Sequence, residues 1–358
     1  MTDAYATAGV DTDQADRGVQ ALVEILSRIE PGRPSLTLPL PGHYASVLRV
    51  APNLGVALAT DSVGSKVIVA EQARRFDTIG IDCVAMNVND LICVGAEPLA
   101  LLDYLAVERA DPAQLREIAI GLRVGAEAAG VEIPGGEVCQ LPEVIRGHPS
   151  PHGFDLVGSA FGTVALDRIV DGGACSPGDV LIGLPASGVH SNGLTLARRA
   201  LLQQGGLRWQ SAPAQLRGGT VADALLEPTV IYVRAILELL SSDVEVRGLA
   251  HITGGGLLNL LRLGEGVGFE ISSPLPVTPI FELIGDLGQV PASEMWEVFN
   301  MGCGFCAVVP ERDAERAVDR LAVHHPGTAQ IGAVVDRAGL VSVPGLGIEG
   351  DSDGLRTA

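Results

Sequence analysis

Short apolar runs alternate along this chain with longer stretches whose apolar residues recur every three or four positions, the alternation expected of strands and helices in an α/β protein. In the first half the pattern predicts strands at 54–59, 98–107, 131–134 and 154–166, with helices over 67–75, 78–95 and 112–129 between them. A further helix is expected over 16–29, where Val19, Leu22, Val23, Ile25, Leu26 and Ile29 form one apolar stripe. Residues 31–42 hold prolines 31, 34, 39 and 41 and two glycines, the composition of a loop or flap. The second half predicts strands over 179–184, 244–250, 302–309 and 329–336, and helices from about 193, over 228–240, 257–263 and 311–323. The turn-rich join Asp171-Gly172-Gly173 to Ser176-Pro177-Gly178-Asp179 divides the chain into domains 1–172 and 173–345, with 346–358 expected to be a frayed tail.

Polar residues interrupt this pattern at places where chemistry is usual. Asp61 stands at the carboxyl end of the first predicted strand, followed by Gly64, Ser65 and Lys66, and ligands of open α/β sheets collect at that rim. The glycine lets a ligand approach the backbone, the carboxylate suits Mg²⁺, and the lysine suits phosphate oxygens. The spacing is not that of a Walker A loop. Asp82, Asn87, Asn89 and Asp90 lie within an otherwise apolar helical stretch, either as one solvated face or as a buried polar set. Gly135, Gly136 and Glu137 repeat the strand-end device. Ser187 to Asn192 precedes a predicted helix, where free N–H groups favour an anion unless the turn merely caps the helix; His190 would add a donor or, protonated, a charge. His251-Ile252-Thr253-Gly254-Gly255-Gly256 joins a strand to a helix with more glycine than a tight turn needs.

The length of 358 residues accommodates two domains. A formal charge of −19 argues against nucleic acid as a partner, so phosphates must be bound locally through metal and backbone. No apolar stretch is long enough for a membrane span and the first residues lack a signal-peptide pattern, which predicts a cytoplasmic protein. The six cysteines show no disulfide-framework density. Cys303 and Cys306, spaced as C-x-x-C, lie in an apolar run that reads as a buried strand in preference to a redox or metal site.

In order, the chain carries Ala8-Gly9-Val10-Asp11, Thr60-Asp61-Ser62-Val63-Gly64-Ser65-Lys66, Val88-Asn89-Asp90, Gly95-Ala96-Glu97-Pro98 and Gly135-Gly136-Glu137. Ser187-Gly188-Val189-His190-Ser191-Asn192-Gly193, His251 to Gly256 and Phe299-Asn300-Met301-Gly302 follow. From about residue 5 to 343 this resembles the phosphoribosylformylglycinamidine cyclo-ligase (AIR synthetase) family. The resemblance implies a two-domain subunit whose N-terminal strands form a barrel with those of a second copy, giving a homodimer. It further implies ATP-dependent closure of formylglycinamidine ribonucleotide to aminoimidazole ribotide, by phosphorylation of the formyl oxygen and attack of the amidine nitrogen. Asp61, Asp90 and Glu137 would hold Mg²⁺; Gly64, Ser65, Gly135 and Gly136 would line the ATP site, with Lys66 facing its phosphates. Ser187, Gly188, His190, Ser191 and Asn192, with Thr253, Gly254 and Gly255, would contact the ribotide, and His190 would join Asp61, Lys66, Asp90 and Glu137 in the reaction. The chain departs from the family pattern at 39–45, where a glycine-rich segment is usual, at Ser62, and at Cys139-Gln140. A kinase of the same superfamily, of thiamine-monophosphate kinase or selenophosphate synthetase type, would share the carboxylates but leave the phosphoryl group on its product. A non-catalytic binding subunit would be expected to have lost them.

Overall fold

The computed structural model describes residues 12–357 apart from Glu265, so the Ala8–Asp11 motif lies outside the described residues. Two sheets carry the architecture. The first comprises β1 (Ser46–Ala51), β2 (Leu54–Ser62), β3 (Glu97–Val107), β4 (Glu132–Gln140) and β5 (Phe154–Ala165), in the order β1-β2-β5-β3-β4. Only β3 and β4 run parallel, because α4 (Pro112–Ala129) connects them as a crossover. Asp111 caps that helix by accepting from Ala113 N, Pro112 occupies its first turn, and Gly130 ends it in the left-handed conformation. Helices α2 (Lys66–Ala73) and α3 (Ile79–Cys93) complete this half, preceded by α1 (Thr12–Leu26). The apolar stripe expected on α1 is there, but Val19, Leu22, Val23 and Leu26 are exposed.

α3 packs its apolar residues against one face of the sheet, and Gly80 and Gly121 let it approach α4 closely. The opposite face is open and carries Leu58, Leu102, Tyr104 and Phe161. Gly135, Gly136 and Glu137 were expected beyond the end of a short strand. They lie inside β4, because pairing with β3 continues through Val107↔Gln140. The strand β1 and its pairing with the flap through Leu38 N to Val47 O (2.8 Å) were not anticipated.

The second sheet has eight strands in the order β13-β12-β11-β8-β10-β6-β9-β7. These are β6 (Val180–Pro185), β7 (Gly248–His251), β8 (Gly268–Glu270), β9 (Cys303–Val309), β10 (Ala329–Val335), β11 (Val341–Val343), β12 (Ile348–Asp351) and β13 (Gly354–Thr357). Cys303 and Cys306 lie in β9, fully packed, as the buried-strand reading requires. The expected frayed tail is corrected: β12 and β13 form a hairpin on the sheet edge, and Leu355 N donates to Glu297 Oε2 at 2.7 Å. Its glycines and aspartates, read as a loose end, instead make a tight turn between paired strands.

Helices α5 (Leu194–Arg198), α6 (Val221–Leu226), α7 (Val233–Leu240), α8 (Pro279–Gly288), α9 (Ala292–Val298) and α10 (Ala314–His324) surround this sheet. A 3₁₀ segment, Gly256–Leu263, follows β7. One continuous apolar core runs through both halves.

Candidate active site

The buried polar residues of α3 organise the cleft between the two halves. Asn87 clips the backbone of Asp61 on both sides: Asp61 N donates to its Oδ1 (2.9 Å) and its Nδ2 donates to Asp61 O (3.2 Å). Asn89 reaches across to the second half, where Tyr232 N donates to its Oδ1 (3.0 Å) and its Nδ2 donates to Val230 O (2.8 Å). A backbone N–H can only donate, so Tyr232 fixes which end of the Asn89 amide is oxygen. The Asn89 Nδ2 therefore faces His251 Nε2 at 3.4 Å and leaves the ring proton on Nδ1. That Nδ1–H donates to Asp90 Oδ1 at 2.9 Å. Of the two sequence readings of α3, the buried one holds: Asp82, Asn87 and Asn89 are wholly shielded, and each has a partner.

The charge of Asp90 reaches Asp61. The Asp61 carboxyl is raised above its ordinary value mainly by burial, with Asp90 adding to the rise and Ser62 N and His251 opposing it. Asp90 keeps one oxygen outside its bond to His251. Two carboxylates held this way fit a Mg²⁺ that completes its shell with phosphate oxygens and water.

Glu137 does not join them within one chain. Across the sheet, Asp61 pairs with Gly158, Gly158 with Asp103, and Asp103 with Gly136, so that row points to one face. A side chain at Gly158 would strike Asn87 of α3, which identifies the face as the helix side. Glu137 is one residue further and points to the open face, where it acts with Cys139 and Asp155 on Tyr104. Three strand spacings, roughly 14 Å, separate the ends of the row. Among the described residues no group of three His, Cys, Asp or Glu side chains is placed to hold a metal.

Lys66 requires a second correction. It does not face the rim: its Nζ is fully buried, donating to Asp82 Oδ1 (2.9 Å) and to Glu227 O (2.7 Å). Asp82 Oδ1 also accepts from Thr229 N (2.8 Å) and Thr229 Oγ1 (2.7 Å). Lysine is long enough to pass the loop it follows and tie the two halves together from beneath. Gly64, at φ +64°, needs glycine, and lies against Ser191 O; Ser65 Oγ meets Thr195 Oγ1 at 3.0 Å.

Most polar groups of the Ser187–Asn192 turn are bonded within the protein, chiefly to Pro228, Thr229 and Asn300. Ser187 N donates to His190 Nε2 (3.3 Å), Ser187 Oγ to Pro228 O (2.6 Å), and Ser191 Oγ lies 3.3 Å from Thr229 Oγ1. Asn300 Nδ2 donates to Gly188 O at 2.8 Å. His190 is buried and its pKa is held well below 6.5 by burial, then by His251 and Lys66, so it stays neutral and supplies no positive charge. The helix that follows, α5, begins after Gly193 in the left-handed conformation and runs on without a break as a π-helical segment, Arg199–Gln204. Asn192 is half-buried, its Oδ1 beside Gly254, and Ser187 and Gly188 line a separate cavity of about 510 Å³.

Thr253, Gly254 and Gly255 form the opposing loop. Asn259 braces it by donating from Nδ2 to Gly254 O (3.1 Å) and Gly256 O (2.9 Å), and Gly256 is required because a side chain there would meet Trp296 O. Gly254 and Gly255 line a cavity of about 750 Å³ with the flap residues Leu40 to His43, Asp171 and Arg262. The sequence reading missed His251, Asn259, Arg262 and His43; His251 opened a motif already singled out and His43 lay in the departing segment 39–45, whereas Asn259 and Arg262 carried no local signal.

The model of the N-terminal domain of AIR synthase related proteins matches residues 42–164, and that of the C-terminal domain matches 176–343. The phosphoribosylformylglycinamidine cyclo-ligase of Thermococcus gammatolerans is 46% identical over 342 residues, covering 94% of this chain and 96% of that protein. Among solved structures, AaThiL complexed with AMPPCP and TMP aligns with a TM-score of 0.62 at 17% identity, covering 91% of this chain and 92% of that one. Hydrogenase maturation protein HypE in complex with ATP aligns with a TM-score of 0.59 at 23% identity, covering 80% and 81%. These two likenesses establish a shared fold. The cleft between two such domains, together with identity on this scale over nearly the full length, places the chain in the phosphoribosylformylglycinamidine cyclo-ligase family.

Proposed function

We propose that this cleft closes formylglycinamidine ribonucleotide to aminoimidazole ribotide at the expense of ATP, releasing ADP and phosphate, in purine biosynthesis. The observation that carries the reading is the pair Asp61 and Asp90, held by Asn87 and His251 between the Gly64 and Gly254 loops. Asp61 and Asp90 would hold Mg²⁺, whose charge would offset that of the transferring phosphoryl group when bound. The chain's own part is positional. Asn87 and His251 fix the carboxylates, the Lys66–Asp82–Thr229 network fixes the Gly64 loop against the second half, and Asn259 fixes the glycines that would lie against the ribotide. Neutral N–H and hydroxyl donors suit a chain of charge −19.

The open sheet face supports a homodimer in which a second copy covers it. The six unpaired cysteines suit a reducing cytoplasm. The deciding experiment is incubation with ATP, Mg²⁺ and formylglycinamidine ribonucleotide. The expected result is the diazotisable aminoimidazole with one phosphate released per turnover; a phosphorylated product without free phosphate would make the protein a kinase of the same fold.

A further inference from the structure

The flap from Pro39 to Tyr44 is anchored to the second half on both sides of His43. Arg262 Nη1 donates to Gly42 O at 3.1 Å, and its guanidinium lies 4.8 Å from the centre of the Tyr44 ring. Tyr44 Oη donates to Asn259 O at 3.1 Å, the same residue that braces the Gly254 loop. His43 is thus held between two fixed neighbours at the wall of the 750 Å³ cavity. Both of its ring nitrogens are shielded from solvent, and neither has a hydrogen-bond partner among the described residues.

Two shielded and unpaired nitrogens oppose folding, and an apolar ring of the same size would fill the place without that cost. Such a residue is explained when a ligand completes its bonds. Burial, the largest influence, lowers the His43 pKa below 6.5, with Asp171 opposing it, so the neutral ring offers one N–H and one lone pair. The walls beside it include Leu40 and Pro41 from the flap and Leu258 and Leu261 from the 3₁₀ segment, apolar surfaces suited to a flat group.

We propose that His43 is a recognition residue of this cavity, hydrogen-bonding a planar, nitrogen-bearing group of a nucleotide. That chemistry belongs both to the amidine or aminoimidazole head of the ribotide and to the edge of adenine. The assignment rests on the proposed function for the identity of the two candidates, and on the cavity for the contact itself.

Calorimetric titration of the full chain with ADP and, separately, with aminoimidazole ribotide tests it, using His43→Phe and His43→Gln. His43→Phe keeps the ring and removes both nitrogens. It is expected to weaken one of the two ligands tenfold or more and leave the other within twofold, which identifies the group that His43 reads. His43→Gln, with a donor and an acceptor restored, is expected to recover part of that loss; if the Phe variant does not fold, His43→Leu, which also removes both nitrogens, takes its place. Affinities for both ligands within twofold of wild type in the folded variants overturn the proposal. So does an equal loss for both, which reports a displaced flap. A wild-type protein that binds neither ligand removes the proposed function as well; one that binds and turns over normally while the variants match it removes only the role of His43.

Discussion

His251 donates its Nδ1–H to Asp90 at 2.9 Å, and the direction of that bond is set by Asn89 and Tyr232 two contacts away. A carboxylate held by a buried imidazole keeps its orientation. Asp90→Asn is therefore expected to lower kcat by roughly 100-fold or more while leaving the melting temperature nearly unchanged. His251→Phe, which removes the orienting bond but not the carboxylate, is expected to cost about 10–100-fold. Steady-state rates with Mg²⁺ titrations on both variants check this. Full activity and ordinary Mg²⁺ dependence in Asp90→Asn would refute the role given to Asp90.

Lys66 and Asp82 form an ion pair from which water is excluded, so the two readings of Lys66 separate cleanly. Removing one partner strands the other charge in the interior, at a cost of about 3–5 kcal/mol. Lys66→Met is expected to show that loss in chemical denaturation, with KM for ATP in the surviving folded fraction close to wild type. A large rise in KM for ATP without loss of stability would return Lys66 to the phosphates.

Most of the element order was legible in the sequence because it depends on periodicity and local composition. Pro112 to Ala129 carries its own cap, proline and terminal glycine, and the helix begins and ends where those residues dictate. The direction of Lys66 was not legible, since nothing near it in sequence reveals that Asp82 and Thr229 will converge on its ammonium. Glu137 was misplaced for a related reason. Strand parity decides its face, and parity depends on a register irregularity between Ala100 and Leu102 that no local signal announces. His43 became conspicuous only through what its nitrogens lack, a property of the packed structure.

His190 adopts a left-handed backbone (φ +59°) and accepts from Ser187 N while buried and neutral. Its folded pKa lies below the ordinary 6.5, so between those values the unfolded chain binds a proton that the folded chain refuses. The stability contributed by the neutral ring is present above pH 6.5 and is lost as the pH falls below it. His190→Asn tolerates the left-handed backbone and removes the titration. It is expected to flatten the acid-side decline in melting temperature between pH 7 and 5. An unchanged decline would show that other groups, such as His325, whose pKa burial lowers to about 4, govern it.

The open face of the first sheet sets Leu58 opposite Phe161, with Leu102 and Tyr104 on a neighbouring strand, and these four side chains are 38–52% exposed. Leu58, Ala100, Leu102, Pro134 and Phe161 border one shallow hollow in it, so the apolar surface is contiguous and not scattered. A patch of this kind, on a sheet whose far edge is β4, is normally covered. The cover fits a second copy of the same chain, because a two-fold axis would set each apolar face against its equal and bury both at once. Light scattering is expected to give twice 37.0 kDa, about 74 kDa, at micromolar concentration. Leu102→Asp with Phe161→Asp places four like charges in that interface and is expected to leave a folded monomer, since these side chains lie on the face away from α3. A wild-type mass near 37.0 kDa would refute the dimer. A 74 kDa mass that survives both aspartates would move the interface elsewhere, with the exposed stripe of α1 the next surface to test.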